Sequence, residues 1–304
     1  MKLIIDELTT DTRIDVFLAD YMKDYSRSKI QSEIKKGAVS VNFKSVKPSY
    51  ILKEADIIEF NPIQKVEILP EDIPLNIVWE DENMLVVNKP SGMLTHPTAI
   101  ETSGTLVNAL LYRYGENLSD INGEFRRGII HRLDRNTSGL LMIAKNNKTH
   151  EFLVEEMKNG RMIKKYLAVV KGIVVEDEFT INKPIGRNPK QPHKMGVFEG
   201  GKESISVVKV LERLEDATLV EVRLITGRTH QIRVHMSYIG HPVLGDTVYG
   251  GDKSVIAKKY ASVLRGQCLH ARTIEFEHPI THRIMSFDSG LPDYFYELPF
   301  KIEK

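Results

Sequence analysis

The sequence predicts an α+β protein in two parts: a small module over residues 1–62 and a larger domain over 77–304, joined by a linker over 63–76. Three observations carry this reading. The chain has 304 residues, enough for two domains at ~150 residues each. Pro62, Pro70 and Pro74 fall between residues 61 and 76, a density that forbids a helix and suits a semi-extended connection. Beyond that stretch, strand and helix patterns do not alternate as regular βαβ units, which favours α+β over a doubly wound sheet.

In the module, Thr12, Asp15, Phe17, Leu18 and Tyr21 suit an amphipathic helix. Ser26 is placed to cap a second helix running to Lys36, with Ile30 and Ile34 on one face and Gly37 as its stop. Ala38 to Phe43 and Asp56 to Phe60 alternate like short strands. In the larger domain, Met84 to Val87 and Tyr166 to Val170 read as strands, and Thr105 to Tyr114 and Thr149 to Asn159 as helices, the latter stopped by Gly160. No internal repeat or low-complexity tract interrupts the chain.

Composition excludes several classes. With 41% apolar and 27% charged residues the chain is globular rather than disordered or fibrous. The single cysteine, Cys268, excludes an internal disulfide and a cysteine-rich zinc site, and reads as a small core residue. No apolar run approaches the ~18 residues of a membrane span, and Asp6 and Glu7 interrupt the apolar start, which is unlike a secretory signal. A cytoplasmic protein without a membrane partner is expected. A net charge of +1 does not announce a polyanionic partner, so charge must be read locally.

Between Ser26 and Lys53 stand Arg27, Lys29, Lys35, Lys36, Lys44, Lys47 and Lys53 against one acid, Glu33. Such a face attracts phosphate backbones; taken alone, a charge run is more often a solvated helix surface. Arg13-Ile14-Asp15, Ser26-Arg27 and Gly37-Ala38-Val39-Ser40-Val41-Asn42 resemble the S4 RNA-binding domain, which makes Arg27, Lys29, Lys35 and Lys36 candidate RNA-binding residues. At two turn positions where that family has glycine, this chain has Phe43 and Ala55.

The segment Gly128 to Lys145, GIIHRLDRNTSGLLMIAK, sets a charged cluster between two apolar runs. That places Asp134, between Arg132 and Arg135, on a loop at the edge of a packed core, where reactive groups commonly sit. Flanking arginines favour its charged form, and an ionised carboxylate serves as nucleophile or base. The same residues also describe an ion pair that merely caps a turn.

His131-Arg132-Leu133-Asp134 followed by Thr137-Ser138-Gly139-Leu140 resembles the catalytic motif of pseudouridine synthases of the RluA/RluD family. In order along the chain, Val86 to Gly92, Lys165-Tyr166, Leu224 to Met236, Gly245 to Gly250 and Leu269-His270-Ala271 resemble its other segments. The resemblance implies a mixed or antiparallel catalytic sheet and a reaction that detaches a uracil from C1′, turns it and rejoins it through C5, without redox change or cofactor. It implies that Asp134 is the essential carboxylate, Arg233 its partner (with Arg228 the competing candidate), and Tyr166 the ring that stacks on the uracil. Arg132 would enter the RNA stack as the base leaves it. His131, Arg228 and Lys89 are further substrate-binding candidates. An S4 module in front is the arrangement of family members acting on large-subunit ribosomal RNA, so that RNA is the expected substrate, met by a monomer.

Three rivals stand beside this reading. A tRNA-directed enzyme would use the same chemistry. An RNA-binding assembly factor would leave the site idle. A glycoside hydrolase would need a second carboxylate, which the Asp134 motif does not contain. His131, His230 and His235 lack metal-site spacing, so no metal is expected. Gly186 to Lys202, with Arg187, Lys190, His193, Lys194 and Lys202, suits either an RNA-contacting hairpin or a solvated loop.

Overall fold

A computed structural model describes residues 1–23, 25–61, 67–191 and 194–301. The chain divides into two units, Met1–Glu67 and Ile68–Lys304.

The first unit forms where its local signals place it. The amphipathic pattern gives α1 (Ile14–Tyr21), which buries Ile14 and Leu18. The Ser26 side chain accepts from the Lys29 N–H and starts α2 (Arg27–Lys35), which buries Ile30 and Ile34. Strands β1 (Lys2–Ile4), β2 (Val39–Val41), β3 (Lys44–Ser45) and β4 (Ile57–Phe60) form an antiparallel sheet in the order β1-β4-β2-β3. Their apolar faces and the two helices share one core that includes Val39, Val41, Ile58 and Phe60. Asp15, fully buried, ties the helices together. It accepts two hydrogen bonds from Arg13 (2.9 and 3.0 Å), one from Arg27 (3.1 Å) and one from Gln31 (2.5 Å). The Arg13 hydrogen bond holds its carboxyl well below the usual carboxylate range, against the opposing pull of burial.

The two positions without glycine keep the turn at a cost. Asn42 and Phe43 join β2 to β3 with φ of 48° and 65°, and Ala55 precedes β4 with φ of 63°. Asn42 is suited to this conformation and uses its amide on Asp56 (2.7 Å) and the Ile57 N–H (3.0 Å). Phe43 and Ala55 are not, since a left-handed backbone costs an L-residue roughly 1–2 kcal/mol, of which the freedom of an unfolded glycine returns about half. Phe43→Gly and Ala55→Gly are each expected to stabilise this unit by about 0.5–1 kcal/mol, read as stronger hydrogen-exchange protection of the β4 amides. Unchanged or weaker protection would show that the turns are unstrained.

The second unit begins with residues 68–76. This part of the expected linker carries no helix, as its prolines require, but it is not a free connection. Ile68 and Leu75 pack on the core of the unit. Asn108 donates to the Leu69 carbonyl (2.8 Å), and the Glu71 N–H donates to the Asn108 carbonyl (3.0 Å). Apolar side chains between the prolines found a surface to cover. Residues 62–66 lie outside the described residues.

The remaining elements are β5 (Ile77–Glu80), β6 (Met84–Lys89), α3 (Leu106–Tyr114), β7 (Ser138–Ala144), α4 (Asn147–Lys158), β8 (Ile163–Lys171), β9 (Glu178–Asn182), β10 (Ile185–Arg187), β11 (Met195–Val197), β12 (Ile205–Leu214), β13 (Ala217–Leu224), α5 (Gln231–Tyr238), α6 (Val255–Lys259), β14 (Leu269–Glu277), β15 (Ile284–Asp288) and α7 (Asp293–Tyr296). Helix α3 starts at a capping box between Thr105 and Asn108. Helix α4 starts two residues earlier than its pattern suggested, because Asn146 caps it through the Thr149 N–H (2.9 Å).

Among the described residues the strands form a nine-stranded sheet in the order β5-β6-β7-β14-β8-β13-β12-β9, with β15 also on β14, and a separate β10-β11 hairpin. Its one parallel contact, β7 against β14, decides where the site lies. Gly139 sits at φ 115° with its Cα against the Ala271 backbone, so any Cβ there would collide with Ala271. This close approach brings the start of β7, and the loop before it, beside Tyr166 on the next strand.

Candidate active site

The loop from Gly128 to Thr137 enters not from a strand, as its apolar run suggested, but from a single bridge between Ile129 and Ile143. It alternates in and out. Leu133 is buried in the core, and Thr95 brackets its backbone, donating to the Leu133 carbonyl (2.8 Å) and accepting from its N–H (3.2 Å). Asp134 points into a cavity of about 240 Å³, which Tyr166, Arg233, His230, His131 and Lys164 also line.

Neither flanking arginine holds Asp134. Arg135 turns away and pairs with Glu101, donating from Nη1 at 2.8 Å. Arg132 is exposed at the mouth of the cavity with no hydrogen bond or salt bridge to a described residue. The partner is Arg233, whose Nη1 lies 2.9 Å from Asp134 Oδ2. Arg228, the competing candidate, donates from Nε to the Glu203 carbonyl (3.0 Å) at the rim and leaves Asp134 to Arg233.

Arg233 reaches this position because α5 begins at the cavity. His230 precedes the helix in the left-handed conformation (φ 56°). Gln231 then locks the turn: its Oε1 accepts from the Arg228 N–H and the Thr226 hydroxyl, both at 2.9 Å, and its Nε2 donates to the Ile205 carbonyl and Ser206 Oγ, both at 3.0 Å. Arg233 is 5% exposed. Its other hydrogen-bonding edge is taken by Asp246, Nε to Oδ2 at 2.7 Å and Nη2 to Oδ1 at 3.0 Å, and its guanidinium lies over the Tyr249 ring at 5.1 Å. Burial works against the charge of Arg233, but Asp246 and then Asp134 outweigh it, so its pKa is raised.

Asp246 and Tyr249 are site residues that sequence reasoning left without a role, although the segment Gly245 to Gly250 stood out. Asp246 is 1% exposed and also accepts from the Val248 (3.0 Å) and Tyr249 (3.2 Å) N–H groups. Asp134 therefore does have a second carboxylate nearby, but it is consumed by the arginine between them. Tyr249 Oη lies 2.8 Å from His230 Nδ1 and accepts from the Met195 N–H (3.0 Å), joining the β10-β11 hairpin to this loop. His193 lies outside the described residues.

Tyr166 is 6% exposed, opposite Val222 on one side and Ala271 on the other. Burial, then the nearby Asp134 charge, pushes its hydroxyl pKa up. It is a neutral, aromatic wall of the cavity.

Lys89 departs from expectation. It does not line the cavity. It is 1% exposed, and its ammonium donates to the carbonyls of Pro90 (2.9 Å), Met93 (2.8 Å) and Arg135 (3.1 Å). Ser91 adds a bond to the Asn136 carbonyl (2.9 Å) and the Gly92 N–H one to that of Arg135 (2.9 Å). The segment Lys89 to Gly92 thus braces the Asp134 loop from behind. Lys89 satisfies its three donors internally, so it is a positioning residue rather than a substrate-binding one.

The three histidines have separate partners. His131 Nε2 accepts from the Met142 N–H (3.3 Å), and burial brings its pKa down to about 3, so it is neutral. His235 bridges Ser206 Oγ (2.9 Å) and the Lys183 carbonyl (3.0 Å) in the core. His230 Nε2 stands 3.8 Å from Asp134 Oδ1, and burial lowers its pKa despite that charge.

In the first unit Arg27, Lys29, Lys35 and Lys36 are all exposed along α2. Arg27 keeps over half of its side chain exposed while Asp15 holds its Nε, Lys29 lies over the Tyr25 ring at 4.0 Å, and Lys36 approaches Glu33 at 3.5 Å.

The chain is similar to known proteins over most of its length. The RNA pseudouridylate synthase family matches residues 83–238, and the S4 domain residues 12–58. An uncharacterized RNA pseudouridine synthase of Bacillus subtilis is 44% identical over 94% of this chain and 92% of its own. The ribosomal large subunit pseudouridine synthase D of Pseudomonas aeruginosa is 40% identical, over 93% of this chain and 89% of its own. The solved structure of human RNA pseudouridylate synthase domain containing 1 is similar with a TM-score of 0.57 at 29% identity, covering 77% of this chain and 87% of that one. The chain belongs to the RNA pseudouridylate synthase family, an isomerase of uridine in RNA that carries an S4 domain ahead of its catalytic unit.

Proposed function

We propose that this synthase converts uridine to pseudouridine in large-subunit ribosomal RNA, with Asp134 as the catalytic carboxylate. The observation that carries the reading is the Asp134–Arg233 pair at 2.9 Å, set beside Tyr166 in a cavity with room for one nucleobase. The curated relatives named for the ribosomal large subunit support the choice of RNA.

The reacting C1′ and N1 are inaccessible inside a stack, so the nucleotide must be flipped into the cavity. Tyr166 supplies the face on which the uracil lies. Arg233 fixes the Asp134 carboxylate beside C1′ through a charge-assisted bond. Arg132, unpaired at the mouth, fills the gap left in the RNA, Arg228 meets the backbone at the rim, and His131 forms a neutral wall. Arg27, Lys29, Lys35 and Lys36 give the S4 unit its phosphate-binding face. The reaction is redox-neutral and needs no cofactor. Among the described residues no helix is long and apolar enough to cross a membrane; we place the enzyme in the cytoplasm, acting as a monomer.

Purified protein incubated with large-subunit, small-subunit and transfer RNA transcripts is expected to form pseudouridine in the first alone. Product confined to tRNA would overturn the choice of substrate. Arg132→Ala should slow single turnover about 10- to 100-fold on a folded RNA, because unstacking costs a few kcal/mol. On a short unstructured strand with the same uridine the loss should shrink to a few-fold. An equal loss on both would remove Arg132 from base extraction.

A further inference from the structure

Lys164 lies on β8 two residues before Tyr166, so the two side chains share a face. Both line the cavity with Asp134 and Arg233. Lys164 is 8% exposed, yet its ammonium makes no hydrogen bond or salt bridge to any described residue. Its Nζ lies 3.8 Å from the position a Cβ would take at Gly227, which also lines the cavity.

The fold shows how a lysine here is otherwise satisfied. Lys89, also buried, spends its donors on three carbonyls. Lys165, on the other face of the same strand, pairs with Glu221 at 3.2 Å. An ammonium drawn this far from solvent, with only the open cavity before it, is stabilised when an anion or acceptor enters and meets it. Asp134 is engaged by Arg233, so Lys164, inside the cavity, and Arg132, exposed at its mouth, are both left without an acceptor among the described residues. Burial lowers the Lys164 pKa only to about 8, which leaves it charged at neutral pH.

The reaction supplies the missing partner. When the N1–C1′ bond breaks, its electron pair stays with the uracil and spreads from N1 onto O2 and O4. When C5 then gives its pair to C1′, the C5 proton leaves and N1 ends protonated. Between those events the base is an anion in a dry cavity, where a fixed donor is most effective.

Resting on the function proposed above, we infer that Lys164 is a catalytic residue whose Nζ donates a hydrogen bond to a carbonyl oxygen of the flipped uracil and stabilises the charge of the detached base.

The test uses the full-length protein and one large-subunit RNA fragment carrying a mapped target uridine, prepared with uridine, 2-thiouridine or 4-thiouridine at that position. Sulfur is a weak acceptor. Lys164→Met should slow single turnover on the uridine RNA about 10²-fold, the loss typical of removing one such donor. RNA affinity should not change. On the thio-RNA with sulfur at the contacted position, wild type and variant should react at similar rates. Lys164→Arg should restore part of the lost rate. The melting temperature of Lys164→Met should equal or exceed that of wild type, because an uncompensated buried charge has been removed.

A variant rate within threefold of wild type would overturn the inference. So would one loss shared by all three RNAs, which would assign Lys164 to a phosphate or to packing, or a loss accompanied by a fall in melting temperature. A wild type that leaves the uridine RNA unchanged would overturn the proposed function itself, and the wild-type control separates that failure from the others.

Discussion

Asp134→Asn is expected to abolish pseudouridine formation, by at least about 10³-fold in single turnover, while RNA binding stays within a few-fold of wild type. The change removes a negative charge and a nucleophilic oxygen at constant size, and such groups contribute on this scale. The fold has reason to survive it. Arg233 keeps two bonds to Asp246, and the loop keeps its bracing by Thr95 and Lys89. Mass spectrometry of the RNA after incubation reads the result. Substantial turnover by a purified, folded variant would remove Asp134 from the chemistry.

Asp246→Asn should show the opposite profile, a large loss of stability. Asp246 holds the buried Arg233 with bonds of 2.7 and 3.0 Å and accepts two further backbone bonds. Asparagine can still accept from the Val248 and Tyr249 N–H groups but carries no charge. Removing one partner of a buried pair costs about 3 kcal/mol or more, roughly 6–12 °C in the melting temperature of a unit this size. Asp134 remains on Arg233 and limits the loss. Activity should fall as well, since the guanidinium loses the fork that aims it at Asp134. A variant that melts like wild type would show that Asp246 does not anchor Arg233. The contrast between the two aspartates is the useful result: one acts on the substrate, the other holds the arginine that aims it.

Local signals in the sequence describe local structure well here. Ser26 and Thr105 cap the helices they precede, and Gly37 and Gly160 end the ones they follow, because a cap is a contact within one turn. What local pattern does not contain is pairing across the chain. Arg132 and Arg135, two residues before and one after Asp134, turn outward, while its partner comes from a helix 99 residues away. Asp246 is a lone acid in a glycine-flanked loop until the fold closes it onto Arg233. Lys89 reads as a substrate-binding candidate until its three donors are seen to meet three carbonyls. Gly139 stands in a motif that resembles a catalytic one, yet its reason is steric: only a residue without Cβ lets β7 approach Ala271. The prolines of residues 70 and 74 forbid a helix but do not reveal that Ile68 and Leu75 are seated on the larger unit.

Isomerisation of uridine in large-subunit ribosomal RNA by Asp134, aimed by Arg233, has a readout in the living host. It is tested most directly by deleting the gene in its host, restoring it as wild type or as Asp134→Asn, and mapping pseudouridines in total RNA. This role for Asp134 requires one or a few large-subunit positions to lose pseudouridine in the deletion, to regain it with wild type, and to remain uridine with Asp134→Asn. A map unchanged by the deletion, a missing position confined to tRNA, or full restoration by Asp134→Asn would contradict it.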